Sequence, residues 1–147
     1  QKELIVINTH NSAYDDGSLR EQQMAYLRDF LLSEYEKGNY IIVGGDWNQT
    51  PYGLTPELPA HVFDKEDLTF VEKDFPAPDW KWAYDSTLPT NRRVATPYDP
   101  SSSPTTVIDC FLASPNVELS NIKTIDVGFT YSDHQPVTVQ ARLNLNQ

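Results

Sequence analysis

Six polar residues stand where apolar runs end or are interrupted, and their types suit oxyanion binding and the activation of water. Asp46-Trp47-Asn48 directly follows IIVGG, so a carboxylate and an amide two residues apart leave an apolar run through two flexible glycines. Such a pair in a turn is most often a local backbone cap; at the edge of an α/β sheet it can also address one bound anion or a metal-water cluster. Asp133-His134 lies in YSDHQP, ahead of a final apolar alternation. Adjacent residues on extended backbone point apart, so Asp133 can reach a metal while His134 reaches a water, although alone the dipeptide reads as a surface turn. Asp109 interrupts the apolar run TVIDCFLA. A buried lone carboxylate is costly and needs a partner. His134 is the candidate, because a carboxylate that fixes the imidazole tautomer and raises its basicity leaves the other nitrogen to take a water proton. His10, after the run LIVINT, can donate a proton to a phosphoryl oxygen, though an isolated His there is more often structural. Arg92-Arg93 can contact substrate phosphate or form a rim salt bridge. Oxygen-rich ligation suits Mg²⁺ or Mn²⁺, and phosphoester hydrolysis is the reaction that needs such ligation beside an imidazole-carboxylate dyad.

The elements that must position these groups follow from the apolar pattern. Leu4 to Thr9 is a β-branched run that predicts a strand covered on both faces. Ser18 and Glu21 have capping-box spacing at a helix start, Met24, Leu27, Leu31 and Tyr35 supply an apolar stripe, and Gly38 can end the helix. Tyr40 to Val43 predicts a second strand. A strand-helix-strand unit favours a right-handed crossover with parallel strands, which brings His10 and Asp46 to one sheet edge. Nine of the eleven prolines lie between Pro51 and Pro104, so long regular elements are not expected there, only short pieces at Leu68 to Val71 and Trp80 to Tyr84. Trp80 and Tyr98 in this stretch are candidates for a substrate rim, or for aromatic pins of a surface excursion. Thr106 to Ala113, Ile122 to Val127 and Gln135 to Leu143 predict antiparallel strands joined to the parallel pair.

With 147 residues, 39% of them hydrophobic, and 17 Trp, Tyr and Phe, the chain can fold as one domain. Its net charge of -10 disfavours a nucleic-acid coat or a basic membrane-surface patch, while a bound divalent cation could reverse the local field. One Cys permits neither an internal disulfide nor a cysteine zinc cluster, and no signal-peptide pattern is visible. Low Cys usage and acidic composition favour an extracytoplasmic location.

The segments NTH (residues 8–10), GGDWNQ (44–49), TVIDCFLAS (106–114) and YSDHQPV (131–137) resemble, in order and interval, the endonuclease/exonuclease/phosphatase superfamily. The resemblance implies a portion of a four-layer α/β sandwich, with residues 1–147 as a single C-terminal portion and the N-terminal half absent from this chain. It implies a mixed β-sheet with one crossover helix and a long Pro-rich loop region. It assigns water alignment to Asp46, phosphate binding to Asn48 and His10, a dyad to Asp109 and His134, and metal ligation to Asp133 and Asp46. Arg92, Trp80 and Tyr98 are substrate-binding candidates. The metal-binding Glu and an early-strand Asn of that family have no counterpart here. The expected activity is divalent-metal-dependent hydrolysis of a phosphoester by the parent protein, with the isolated chain weak or inactive. A small molecule or lipid headgroup is favoured over nucleic acid. An apolar sheet face is expected to be covered by a second copy or by the missing half. The alternative is a non-catalytic module that keeps the fold and binds a carbohydrate, lipid or protein.

Overall fold

A computed structural model describes residues 2–14, 16–54 and 68–145. Strand β1 (Leu4–His10), helix α1 (Ser18–Glu36) and strand β2 (Tyr40–Asp46) form the crossover unit, with β1 and β2 parallel and in register from Leu4 opposite Tyr40 to His10 opposite Asp46. Short strands β3 (Lys81–Ala83), β4 (Asn91–Arg92) and β5 (Thr105–Thr106) precede β6 (Asp109–Ala113), β7 (Val117–Thr124) and β8 (Val137–Leu143). The main sheet has the order β1-β2-β6-β3, with β6 antiparallel to both neighbours. The chain is thus an α/β unit built on a mixed sheet with one crossover helix.

Leu31 is fully buried on α1, and Met24, Leu27 and Tyr35 pack against the same core of Ile41, Val43, Trp47 and Leu112. The helix ends at Gly38 (φ 84°), in the left-handed conformation that glycine takes without strain. Its start differs from expectation. Gly17 is the N-cap and makes no side-chain cap, while the Ser18 N–H donates to Asp16 Oδ1 at 3.0 Å, so Ser18 is already inside the helix.

Other expectations need correction too. β1 is covered on one face only: Ile5 and Ile7 pack against the core, whereas Leu4 is 50% and Val6 66% exposed. The reason is that α1 packs on the face bearing Ile5 and Ile7, while Leu4 and Val6 alternate onto the opposite face, a difference an apolar run alone does not reveal. The run from Thr106 to Ala113 is broken at Val107-Ile108, between β5, which pairs with β4, and β6, which pairs with β2 and β3; Ile108 O still accepts the Trp47 N–H at 3.0 Å. Only β6 joins the parallel pair; β7 and β8 pair with each other in a separate antiparallel sheet, bulged between Ser120 and Lys123. Leu68 to Val71 supplies a single bridge, Phe70 to Thr50, and residues 55–67 of the Pro-rich stretch lie outside the described residues.

Trp80 is buried in the core with its ring edge-on to Tyr35, 5.8 Å between centroids. Its indole therefore packs the crossover unit instead of a substrate rim. Among the described residues no helix is long and apolar enough to cross a membrane.

Candidate active site

Three strand ends converge. The register sets His10 opposite Asp46 across β1 and β2, and Asp46 opposite Asp109 across β2 and β6. The close approach of β1 and β2 depends on Gly45, where an added Cβ would lie 2.1 Å from the Thr9 carbonyl oxygen. Beyond the strands, Asp46 Oδ1 accepts the Asn48 N–H at 2.8 Å, and Asn48 takes a left-handed φ of 48°. The Asn48 side-chain amide donates to Asn11 O at 2.7 Å and faces Asp46 Oδ2 at 3.3 Å. The D-W-N turn is therefore a local cap and a cavity wall together. Trp47 anchors it from below, fully buried, with its indole N–H donating to Cys110 O at 3.1 Å.

Asp109 and His134 meet at 2.8 Å through Nδ1. A carboxylate only accepts, so the Nδ1 proton belongs to this bond, and in the neutral imidazole Nε2 carries the lone pair. Nε2 lies 3.7 Å from Asp46 Oδ2, and His10 Nε2 lies 3.6 Å from the same oxygen. A water held between His134 and Asp46 would meet Asp46 Oδ2 on one side and, on the other, an Nε2 that also faces the Asn91 amide at 3.0 Å.

The pair is brought together by a segment that pattern-based reasoning overlooked. Thr90, fully buried, accepts the Ile108 and Asp109 N–H groups on its hydroxyl oxygen at 3.0 Å each. Its own N–H donates to Thr106 O, and its carbonyl accepts the Gln135 N–H at 2.7 Å. Asn91 forms a bridge with His134, and its side-chain amide lies 3.0 Å from Nε2 and 3.2 Å from Asp133 O. Residues 90 and 91 thus tie the strand that bears Asp109 to the turn that bears His134. Replacing Thr90 with Val keeps the shape but strands two buried N–H donors, so T90V is expected to lower stability by about 1–3 kcal/mol, read from the urea midpoint at unchanged m.

Burial raises the pKa of Asp46, reinforced by the neighbouring Asp109 and opposed by the Asn48 N–H and the two histidines. The hydrogen bond to Asp109 raises that of His134, against the effect of burial and with help from Asp46 and Asp133. A cavity of about 770 Å³ opens over these groups. His10, Asp46, Asn48, Asp133 and His134 line it, and Arg92 stands among them with Arg20 and Arg93. Asp109 sits behind His134. Tyr98 approaches only through Arg92, whose guanidinium lies 6.0 Å from its ring, and it otherwise packs on Phe129.

The carboxylates of Asp46 and Asp133 have the hard-oxygen chemistry that Mg²⁺ or Mn²⁺ prefers. The donor count falls short: among the described residues no group of three or more His, Cys, Asp or Glu is placed to hold a metal ion. These residues alone do not fit a complete centre.

No protein-family model matches the chain, and no curated protein matches its sequence. Solved structures do match. Truncated TDP2 from Caenorhabditis elegans superposes with a TM-score of 0.52 at 15% identity, covering 92% of this chain and 53% of that one. Selenomethionine TDP2 from the same organism gives a TM-score of 0.52 at 16% identity, over 92% of this chain and 40% of that one. The chain spans about half the length, or less, of the structures it matches, and at this identity the likeness is one of fold.

Proposed function

We propose that this chain, whose fold over most of its length is that of the endonuclease/exonuclease/phosphatase superfamily and is shared with TDP2, belongs to a protein that hydrolyses phosphoesters. The observation that carries this is the Asp109-His134 pair at 2.8 Å, facing Asp46 across the floor of an arginine-rimmed cavity. In this mechanism His134 Nε2 takes a proton from the attacking water while Asp109 holds the Nδ1 proton and the ring. The water oxygen bonds to phosphorus as the ester P–O bond breaks, and the leaving oxygen departs to be protonated from solvent. Asp46 aligns that water. Asn48 and His10 address the phosphoryl oxygens, and Arg92 adds positive charge at the rim.

The proposal extends to a parent in which residues 1–147 form the C-terminal portion of a four-layer sandwich. Mg²⁺ or Mn²⁺ is its cofactor, and the ligands beyond Asp46 and Asp133 come from outside these residues. The exposed Leu4 and Val6 on β1 mark the apolar face that the remaining half or a second copy would cover. A small phosphoester or lipid headgroup and an extracytoplasmic location complete it, on the acidic composition and the single, buried Cys110. The binding-module alternative loses support from Trp80, which is committed to the core.

The test is hydrolysis of an aryl phosphoester by the full-length protein. Turnover with Mg²⁺ or Mn²⁺ that chelation abolishes is expected, with the isolated 147-residue chain far slower; a full-length protein inert with either metal overturns the proposal. The pH profile has a definite sign. Asp109 favours protonated His134, so the base form appears only above the ordinary imidazole range of about 6.5, and the acid limb of kcat/KM is displaced upward. Asp109→Asn removes the largest cause and should move that limb down. For stability, the pair's contribution is full below the unfolded pKa of about 6.5 and is lost as pH rises through the folded one.

A further inference from the structure

Resting on the phosphoester proposal, we infer that Asn91 is a substrate-responsive positioning residue: its side-chain amide holds His134 Nε2 in the resting site and transfers to an anionic oxygen of the bound phosphoester. The geometry behind this is a conflict over one lone pair. Since Nδ1–H is committed to Asp109 at 2.8 Å, Nε2 has a single acceptor position, and the Asn91 amide lies 3.0 Å from it. A water cannot give a proton to a nitrogen whose lone pair is already taken. Productive geometry therefore requires Asn91 to let go.

What it lets go toward is set by its position. Asn91 lines the same cavity as His10, Asp46 and Asn48, and its backbone is fixed by pairing with Thr106 and by the bridge to His134. Only side-chain torsions remain to move. Its second amide contact, to Asp133 O at 3.2 Å, is long and shares that oxygen with the Arg92 N–H at 2.9 Å, so it opposes movement of the amide only weakly. An anionic phosphoryl oxygen entering the cavity is a stronger acceptor than a neutral imidazole nitrogen, because charge-assisted hydrogen bonds are about twice as strong as neutral ones. Substrate arrival thus frees Nε2, and the freed nitrogen takes the water proton while the Asn91 hydrogen bond stabilises the phosphoryl oxygen. No covalent bond to Asn91 forms or breaks. The arrangement keeps the base engaged until an anion is present.

The experiment is a ¹⁵N-edited NMR titration of the full-length protein with inorganic phosphate, at fixed pH, following the side-chain amides of Asn91 and Asn48 and the His134 Nε2 resonance. The expected result is that Asn91 and Nε2 shift together and saturate at the same phosphate concentration. Asn91→Ala should begin with Nε2 at the released position and lose the coupled response. In the hydrolysis assay N91A should lower kcat/KM by about tenfold to a hundredfold, the size expected for a hydrogen bond to a charged group, with N91Q restoring part of it. A phosphate response at Asn48 with Asn91 unmoved overturns the role of Asn91 and leaves the phosphoester proposal standing. Silence at both residues overturns the role of Asn91, and a full-length protein that still hydrolyses the ester would show that only this part had failed. An N91A protein with unchanged kcat and KM also overturns it.

Discussion

His134→Ala is expected to lower phosphoester turnover by the full-length protein by about 100- to 10,000-fold, the range for loss of a positioned general base. The loss should fall mainly on kcat, because Asn48, His10 and Arg92 still line the cavity in the variant. Asp109→Ala should cost nearly as much, since an imidazole without its carboxylate loses both tautomer and orientation. The double variant tests whether the two act as one device: its loss should be close to the larger single loss instead of their product. Independent, multiplicative losses would show that Asp109 serves the fold and not the base. Circular dichroism must stay native for each, and His134 is well suited to that control because its side chain is partly exposed.

The second large effect concerns backbone and not chemistry. Gly45→Ala is expected to destabilise the fold by more than about 4 kcal/mol, enough that little soluble protein is recovered. Gly45 has φ of 142°, and its missing side chain would point at strand β1, with the Thr9 carbonyl oxygen only 2.1 Å and the Thr9 nitrogen 2.9 Å from the added carbon. Relief would require β1 and β2 to separate at the end of the register that sets His10 opposite Asp46. Gly38→Ala is the control. It also has a positive φ, of 84°, but its nearest neighbour is the flexible Lys2 side chain at 3.3 Å. Its cost should be about 1–2 kcal/mol, the ordinary penalty of a left-handed alanine. Comparable thermal midpoints for the two variants would contradict the steric account.

The contrast between these two kinds of residue also explains which features the amino-acid sequence alone reveals. His10, Asp46 and Asp109 were legible because each ends or interrupts an apolar run, and a parallel crossover brings strand ends to one side whatever the loops do. Gly45 was legible as a tight exit, though not as a contact with Thr9. The failures have a common cause. LIVINT looks the same whether one or both faces are covered, because burial depends on a neighbour outside the run. Trp80 could be assigned to a substrate rim or to a pin of a surface excursion with equal reason, since an aromatic side chain serves either, and neither reading places it in the core where it lies. Thr90 and Asn91 carry no periodic signal at all; their importance lies in bonds to residues 16 to 45 positions away. Their one visible cue was proximity to Arg92-Arg93 in an otherwise acid-rich stretch.

The tie made by Thr90 and Asn91 also orders the events of folding. The pairing of β1 with β2 spans 36 residues, Leu4 to Tyr40, but helix α1 shortens that closure, whereas the contact of Asn91 with His134 spans 43 residues with no helix between them. Longer closures cost more chain entropy and are made after the contacts that shorten them. A chain that has formed its crossover unit but not this tie would possess every strand-end residue of β1 and β2 and no working dyad. Hydrolytic competence would then be the last property acquired during folding and the first lost on local opening, which makes activity a more sensitive gauge of the native state than helix content.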